Sequence, residues 1–280
     1  MSGLSEEQYI ALAEDVHRRY GDCPSGAAGL ADWLGVEYRR HPESDHDLTA
    51  PDYDEPARTP RRCIVLAATY RSGSTLLAEC LITAGGYGCP LEYFQVGAQD
   101  RRFARFAGPD YVDTVMRHRT GPSGVFGVKL FPADLRAAPG LWQRFGDSIV
   151  VRVRRRDRVG QAVSAWRAIN GGPWRAASGV GPAPPPVYDY EAIRRLVGLF
   201  AWEDRWWDRI VPDRTPTVWF EDLANDHGGT FRALLAELQA RGLPADGEPA
   251  QPRLARQADA HSQEMAERFV DEYRSRRCTP

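Results

Sequence analysis

The chain has 280 residues, with 36 Lys plus Arg against 38 Asp plus Glu and a formal net charge of −2. That balance gives no overall basic field of the kind nucleic acid or an anionic membrane surface recruits, and no apolar run approaches the roughly 20 residues of a membrane span. The start, Met1-Ser2-Gly3-Leu4-Ser5-Glu6-Glu7, lacks the basic-then-apolar shape of a signal peptide. Five cysteines (Cys23, Cys63, Cys80, Cys89, Cys278) show no metal spacing, so reduced thiols in a cytoplasmic protein are the simplest reading.

Ser5 as N-cap, Tyr9, Leu12, Ala13 and Val16 on one face, and Gly21 as a stop predict a helix over 5–21. A short helix is expected over 26–34, and the Pro- and Asp-rich run from His41 to Pro60 reads as a linker. The main domain is expected to begin at Arg61. It opens with an apolar strand over 63–68, a polar turn, a helix over 74–84 and a loop holding Gly85, Gly86 and Gly88. A helix near 109–118, a strand at 124–129 and a helical piece near 134–145 come next, then a strand over 148–153 and a helix over 157–169. Residues 170–188 are too rich in Gly and Pro for an element. Asp189 caps a long helix reaching about Ile210, with Ile193, Leu196, Val197, Phe200 and Trp207 on one stripe; 217–220 reads as a strand and 228–241 as a helix. Strands alternating with helices imply a parallel sheet covered by helices, an α/β fold. The expected division is 1–60, a helical extension and linker, and 61–280, the α/β domain.

The chemistry concentrates at Cys63-Ile64-Val65-Leu66-Ala67-Ala68-Thr69-Tyr70-Arg71-Ser72-Gly73-Ser74-Thr75. A buried strand, a tight turn and a helix N-terminus make a phosphate cradle, in which backbone N–H groups face an anion. The Walker pattern needs Gly-Lys-[Ser/Thr] there. This chain has Gly73-Ser74-Thr75, with Arg71 two residues before the glycine. The cradle is kept and the triphosphate lysine is absent, which points away from ATP and toward another activated donor.

The stretch from Thr69 to Leu77 resembles the 5′-phosphosulfate loop of sulfotransferases that use PAPS (3′-phosphoadenosine 5′-phosphosulfate), and it is most similar to the bacterial trehalose 2-sulfotransferase family. Three more segments match in order. Pro90-Leu91-Glu92-Tyr93-Phe94 resembles that family's Pro-x-Glu-Phe-Phe. Arg155-Arg156-Asp157, continuing through Gln161-Ala162-Val163-Ser164 to Trp166-Arg167-Ala168, resembles its 3′-phosphate segment. Arg256-Gln257-Ala258-Asp259 with Ser262 resembles its C-terminal cofactor loop. The resemblance spans roughly 61 to 276 and implies a P-loop-like parallel sheet. It assigns Arg71, Ser72, Gly73, Ser74 and Thr75 to the 5′-phosphosulfate, and Arg155, Ser164 and Arg256 to the 3′-phosphate. Where this family often has an acidic residue just before the proline, Cys89 stands here.

Lys129 is the single lysine among the 36 cationic residues. It ends the strand-like run Val125–Val128, and strand C-termini face the ligand crevice of open α/β sheets; the family has a similar Gly-x-Lys-Leu. A compact ammonium there would neutralise charge on a transferring sulfuryl group, together with Arg71 and without a metal. Glu92 is the candidate base for the acceptor's proton, because the six histidines lie outside the matched donor-loop and Pro-x-Glu segments. Apolar and aromatic neighbours are expected to desolvate it. Trp174, in the irregular loop, is a candidate for stacking on adenine. The expected activity is sulfuryl transfer from PAPS, leaving PAP, to a small-molecule hydroxyl on a carbohydrate or natural-product metabolite. A homodimer is left open. The competing readings are a P-loop kinase or nucleotide hydrolase, disfavoured by the missing Gly-Lys, and a non-catalytic nucleotide-binding protein.

Overall fold

Four strands form one parallel sheet: β1 (Arg62–Ala68), β2 (Val125–Leu130), β3 (Ile149–Arg154) and β4 (Thr217–Trp219), in the spatial order β2-β1-β3-β4. The computed structural model describes residues 3–40, 47–96, 102–174, 186–243 and 259–278. β1 lies at the centre, with Val65 opposite Val128 on one side and Val150 on the other. Ile64, Leu66 and Ala68 face one apolar layer while Val65 and Ala67 face a second, and all five are fully buried. A strand covered on both faces reads as a continuous apolar run, so β1 was visible as one in the sequence.

In chain order the helices are α1 (Glu6–Tyr20), α2 (Gly26–Leu34), α3 (Ser74–Ala84), α4 (Tyr111–His118), α5 (Pro132–Ala137), α6 (Arg158–Ile169), α7 (Tyr190–Ile210), α8 (Phe220–Asn225), α9 (His227–Ala240) and α10 (Ala260–Cys278). α1 starts in a capping box: Gln8 N–H donates to Ser5 Oγ at 3.2 Å, and Ser5 N–H to Gln8 Oε1 at 2.8 Å. It ends at Gly21, where φ is 66°. Its buried stripe of Tyr9, Leu12, Ala13 and Val16 lies on α7. The approach is close enough that a Cβ on Gly198 would come within 2.5 Å of Val16 Cγ2. Arg158 to Glu6 (2.7 Å) and Arg194 to Asp15 (2.8 Å) tie the same helix down at its edges.

Three elements differ from the sequence expectation. The piece near 134–145 is α5 followed by a 3₁₀ turn at Trp142–Phe145, because Pro139-Gly140 interrupts any single helix. The short α8 directly follows β4. The 19-residue α10 was not anticipated, since charged residues dominate it; its inner face of Met265, Phe269, Val270 and Tyr273 is buried. Among the described residues, no helix is long and apolar enough to cross a membrane.

Candidate functional site

The four strands are parallel, so their carboxyl ends lie along one edge of the sheet, where open α/β folds bind ligands. β1 runs out at Ala68 and turns through Thr69–Gly73 into α3. Arg71 has φ of 62° and is the one non-glycine residue with positive φ among the described residues. That left-handed conformation costs about 1–2 kcal/mol, so the surroundings must impose it. Gln161 does much of this: from inside α6, fully buried, its Nε2 donates to Thr69 Oγ1 at 2.8 Å and to the Tyr70 carbonyl at 2.6 Å. Gly73, at φ 91°, N-caps α3 with Phe220 packed against it, and a Cβ there would lie 2.6 Å from Phe220 Cδ2. α3 therefore begins at the carboxyl-end edge of the sheet. Ser72 Oγ is buried in the turn before it and has no hydrogen-bond partner among the described residues. An unpaired buried hydroxyl in an anion cradle fits a site built for a phosphate-like oxygen.

Arg71 reaches across to α6, where its Nε donates to Ser164 Oγ at 2.9 Å. Its Nη1 donates to the Trp174 carbonyl, and its guanidinium lies 5.7 Å from the Trp174 ring centroid. Burial, followed by the neighbouring Arg155 and Arg167 guanidiniums, lowers Arg71 to about 10. It remains charged at neutral pH. The like charges of the three guanidiniums oppose one another, and Asp259 beside Arg167 and Asp157 beside Arg155 offset part of that repulsion.

The run Arg154-Arg155-Arg156 separates by role. Arg154 packs over Trp219 and pairs with Asp208. Arg156 pairs with Asp222 at 2.6 Å. Arg155 lies over Phe220 and approaches Asp157 at 3.5 Å. The N–H groups of Arg156 and Asp157 donate to the Glu221 carboxylate, so part of this turn faces a protein anion. Asp157 caps α6 through Gly160 N–H, as its sequence position predicts. Arg256 lies outside the described residues, but its neighbours Asp259 and Ser262, at the start of α10, both bond Arg167.

Glu92 and Lys129 meet directly. Lys129 Nζ, fully buried, donates to Glu92 Oε1 at 2.6 Å and to Thr75 Oγ1 at 3.0 Å. The backbone explains the meeting: Leu91 bridges to Val128, and Lys129 N–H donates to the Leu91 carbonyl at 3.0 Å. This abutment needs a glycine at 127, where a Cβ would come within 2.6 Å of Pro90 Cγ. Strand-like alternation then turns Leu91 and Tyr93 into the core and leaves Glu92 partly exposed beside Lys129. The expected apolar surroundings are therefore only half the picture, because the carboxylate meets two cations, Lys129 and, at 3.8 Å, Arg102. Burial pushes the adjacent Cys89 thiol up to about 11, which leaves it a poor nucleophile.

Three contributors escaped the sequence reading. Gln161 was hidden because a helical Gln usually faces solvent; its place in the Gln-Ala-Val-Ser segment was the available signal. Arg102 and Phe220 arrive from loops and helix starts whose positions no periodicity predicts.

A parallel α/β sheet flanked by helices, with a strand–turn–helix at the end of β1, convergent arginines and a buried Lys–carboxylate pair, is a sulfotransferase-like α/β fold. The Stf0 sulphotransferase family model matches residues 63–138 and 128–272, and the chain belongs to that family. It is similar to the trehalose 2-sulfotransferase of Mycolicibacterium smegmatis (strain ATCC 700084 / mc(2)155), with 29% identity over 269 residues, 73% of this chain and 93% of that protein. It is also similar to the trehalose 2-sulfotransferase of Mycobacterium tuberculosis (strain ATCC 35801 / TMC 107 / Erdman), with 31% identity over 270 residues, 76% of this chain and 96% of that protein.

Proposed function

We propose that this sulfotransferase takes its sulfuryl group from PAPS and passes it to a hydroxyl of a small molecule, with Glu92 as the general base. The observation that carries this reading is Lys129, whose single ammonium touches the cradle at Thr75 and the candidate base at Glu92. It thereby joins donor-binding and proton-accepting groups at one point. PAPS supplies an activated sulfuryl group on a phosphate leaving group. Arg71, Ser72, Gly73, Ser74 and Thr75 bind the 5′-phosphosulfate end through the α3 amides, the Ser72 hydroxyl and the Arg71 guanidinium. Arg155 and Ser164 hold the 3′-phosphate, with Arg256 added from the C-terminal loop, and Trp174 offers a ring beside them. Glu92 Oε2 accepts the proton of the acceptor hydroxyl as its oxygen bonds to sulfur and the bond to the leaving phosphate breaks. Lys129 and Arg71 stabilise the charge that develops on the equatorial and leaving oxygens. The names of the two relatives support a carbohydrate acceptor, with a natural-product metabolite as the other candidate.

Thermal shift separates the donors. Saturation with PAP at about 100 times its Kd should stabilise the fold by about 2.7 kcal/mol, a shift of several degrees. Stabilisation by ATP with Mg²⁺, and none by PAP, would overturn the reading in favour of a kinase or nucleotide hydrolase.

A further inference from the structure

The matched family span begins at residue 63, yet a segment well before it reaches the candidate site at several points. Gly26 N–H donates to the Tyr70 hydroxyl at 2.8 Å, and Tyr70 immediately precedes Arg71. The Tyr38 hydroxyl accepts from Trp174 Nε1 at 3.0 Å, and Trp174 is the residue whose carbonyl holds Arg71 Nη1. Tyr70 and Trp174 also touch each other edge to face, with ring centroids 6.1 Å apart. Arg71 is thus held between two aromatic residues, each anchored by the same N-terminal segment. A third contact extends the hold to the loop that follows Glu92: Ser25 Oγ accepts from Val96 N–H at 3.2 Å and donates to Asp134 Oδ1 at 2.5 Å.

The anchors are themselves fixed. Leu30 and Ala31 of α2 are fully buried, and Arg195 Nη1 on α7 caps the Leu34 carbonyl at 3.1 Å. Arg39 N–H donates to the Ile169 carbonyl at 2.9 Å, and Arg39 pairs with Asn170 as an isolated bridge, which ties Tyr38 to the end of α6 just before Trp174. A segment held this firmly can hold a neighbour in a costly conformation, and Arg71 has such a conformation at φ 62°.

The geometry points to residues 25–39 as a clamp that positions Arg71 for the donor, with Tyr38 as a positioning residue that acts through Trp174. The clamp rests on the reading of Arg71 as a donor ligand. It adds to this chain a support that lies outside the family-matched span.

The test uses the full chain carrying Tyr38→Phe, which deletes one hydroxyl and keeps the ring. Losing one hydrogen bond of ordinary net strength changes an equilibrium by about fivefold. Calorimetry with PAP should accordingly show affinity about fivefold weaker, while Leu238→Ala, a core truncation in α9 outside the clamp, should lower the unfolding temperature and leave PAP affinity within twofold. PAP affinity within twofold of wild type in Tyr38→Phe overturns the clamp. Amide hydrogen exchange over residues 170–174, measured without any ligand, reads the brace separately and should be at least threefold faster in Tyr38→Phe. Unchanged exchange overturns the clamp even if the wild-type chain fails to bind PAP, an outcome that by itself would count against the donor reading.

Discussion

Lys129→Arg preserves charge while changing shape, and the structure makes its consequences calculable. Lys129 has no exposed side-chain surface and meets Glu92 at 2.6 Å and Thr75 at 3.0 Å. A guanidinium needs more room than an ammonium, and overpacking of a closed site costs about 1–3 kcal/mol. Its planar fork also cannot reproduce two contacts that diverge from one nitrogen. If the ammonium bonds the transferring group, a hydrogen bond to a charged group of about 1.5–3 kcal/mol is lost in the transition state, roughly 10- to 150-fold in rate. The assay is single-turnover transfer of label from radiolabelled PAPS to an acceptor found by screening metabolites, with PAP affinity measured by calorimetry on the same samples. Turnover should fall by that factor while PAP affinity moves much less, the mark of an interaction that strengthens along the reaction. Wild-type turnover in Lys129→Arg would refute the catalytic role and leave the lone lysine an accident of composition.

Glu92→Gln keeps the shape of the side chain and removes the proton acceptor, so turnover should fall by about 10²–10⁴-fold with PAP binding intact; a loss of only a few-fold would assign the proton to another group. Arg71→Gly allows the positive φ without the guanidinium, so both it and Arg71→Ala should weaken PAPS binding, and PAPS affinity unchanged in both would show that this turn is not the donor cradle. Burial raises Asp134 to about 7 despite its bond from Ser25, and Glu203 is likewise raised to about 7 by burial. A carboxyl whose folded value exceeds its unfolded value of about 4 contributes most to stability below that pH, and the contribution is lost as pH climbs toward 7. Asp134→Asn should therefore lose less stability than wild type between pH 4 and 7, by urea denaturation across that window; an identical pH slope would contradict the assignment.

Local chemistry made much of the frame legible. Ser5, Gly21, Asp157 and Asp189 fall at helix ends, where capping groups satisfy backbone groups that no turn of helix can reach, so their positions could be read from the chain alone. The apolar run through β1 and the Arg71-Ser72-Gly73-Ser74-Thr75 turn were likewise readable, because a strand buried on both faces and a phosphate turn are each written in consecutive residues. Side chains brought together from distant segments were not. Glu92 lies beside Lys129 because Pro90 packs on Gly127 and Leu91 bridges to β2. Arg71 keeps its left-handed turn next to Gln161, Ser164 and Trp174, with Tyr38 behind the tryptophan. α10 was missed because its apolar positions are few among many charges and become a face only once α6 and α7 are there to cover them. Caps and strands are decided by neighbours in sequence, whereas the meeting of Glu92, Lys129 and the Arg71–Thr75 turn is decided by packing between elements, which no single stretch of sequence records.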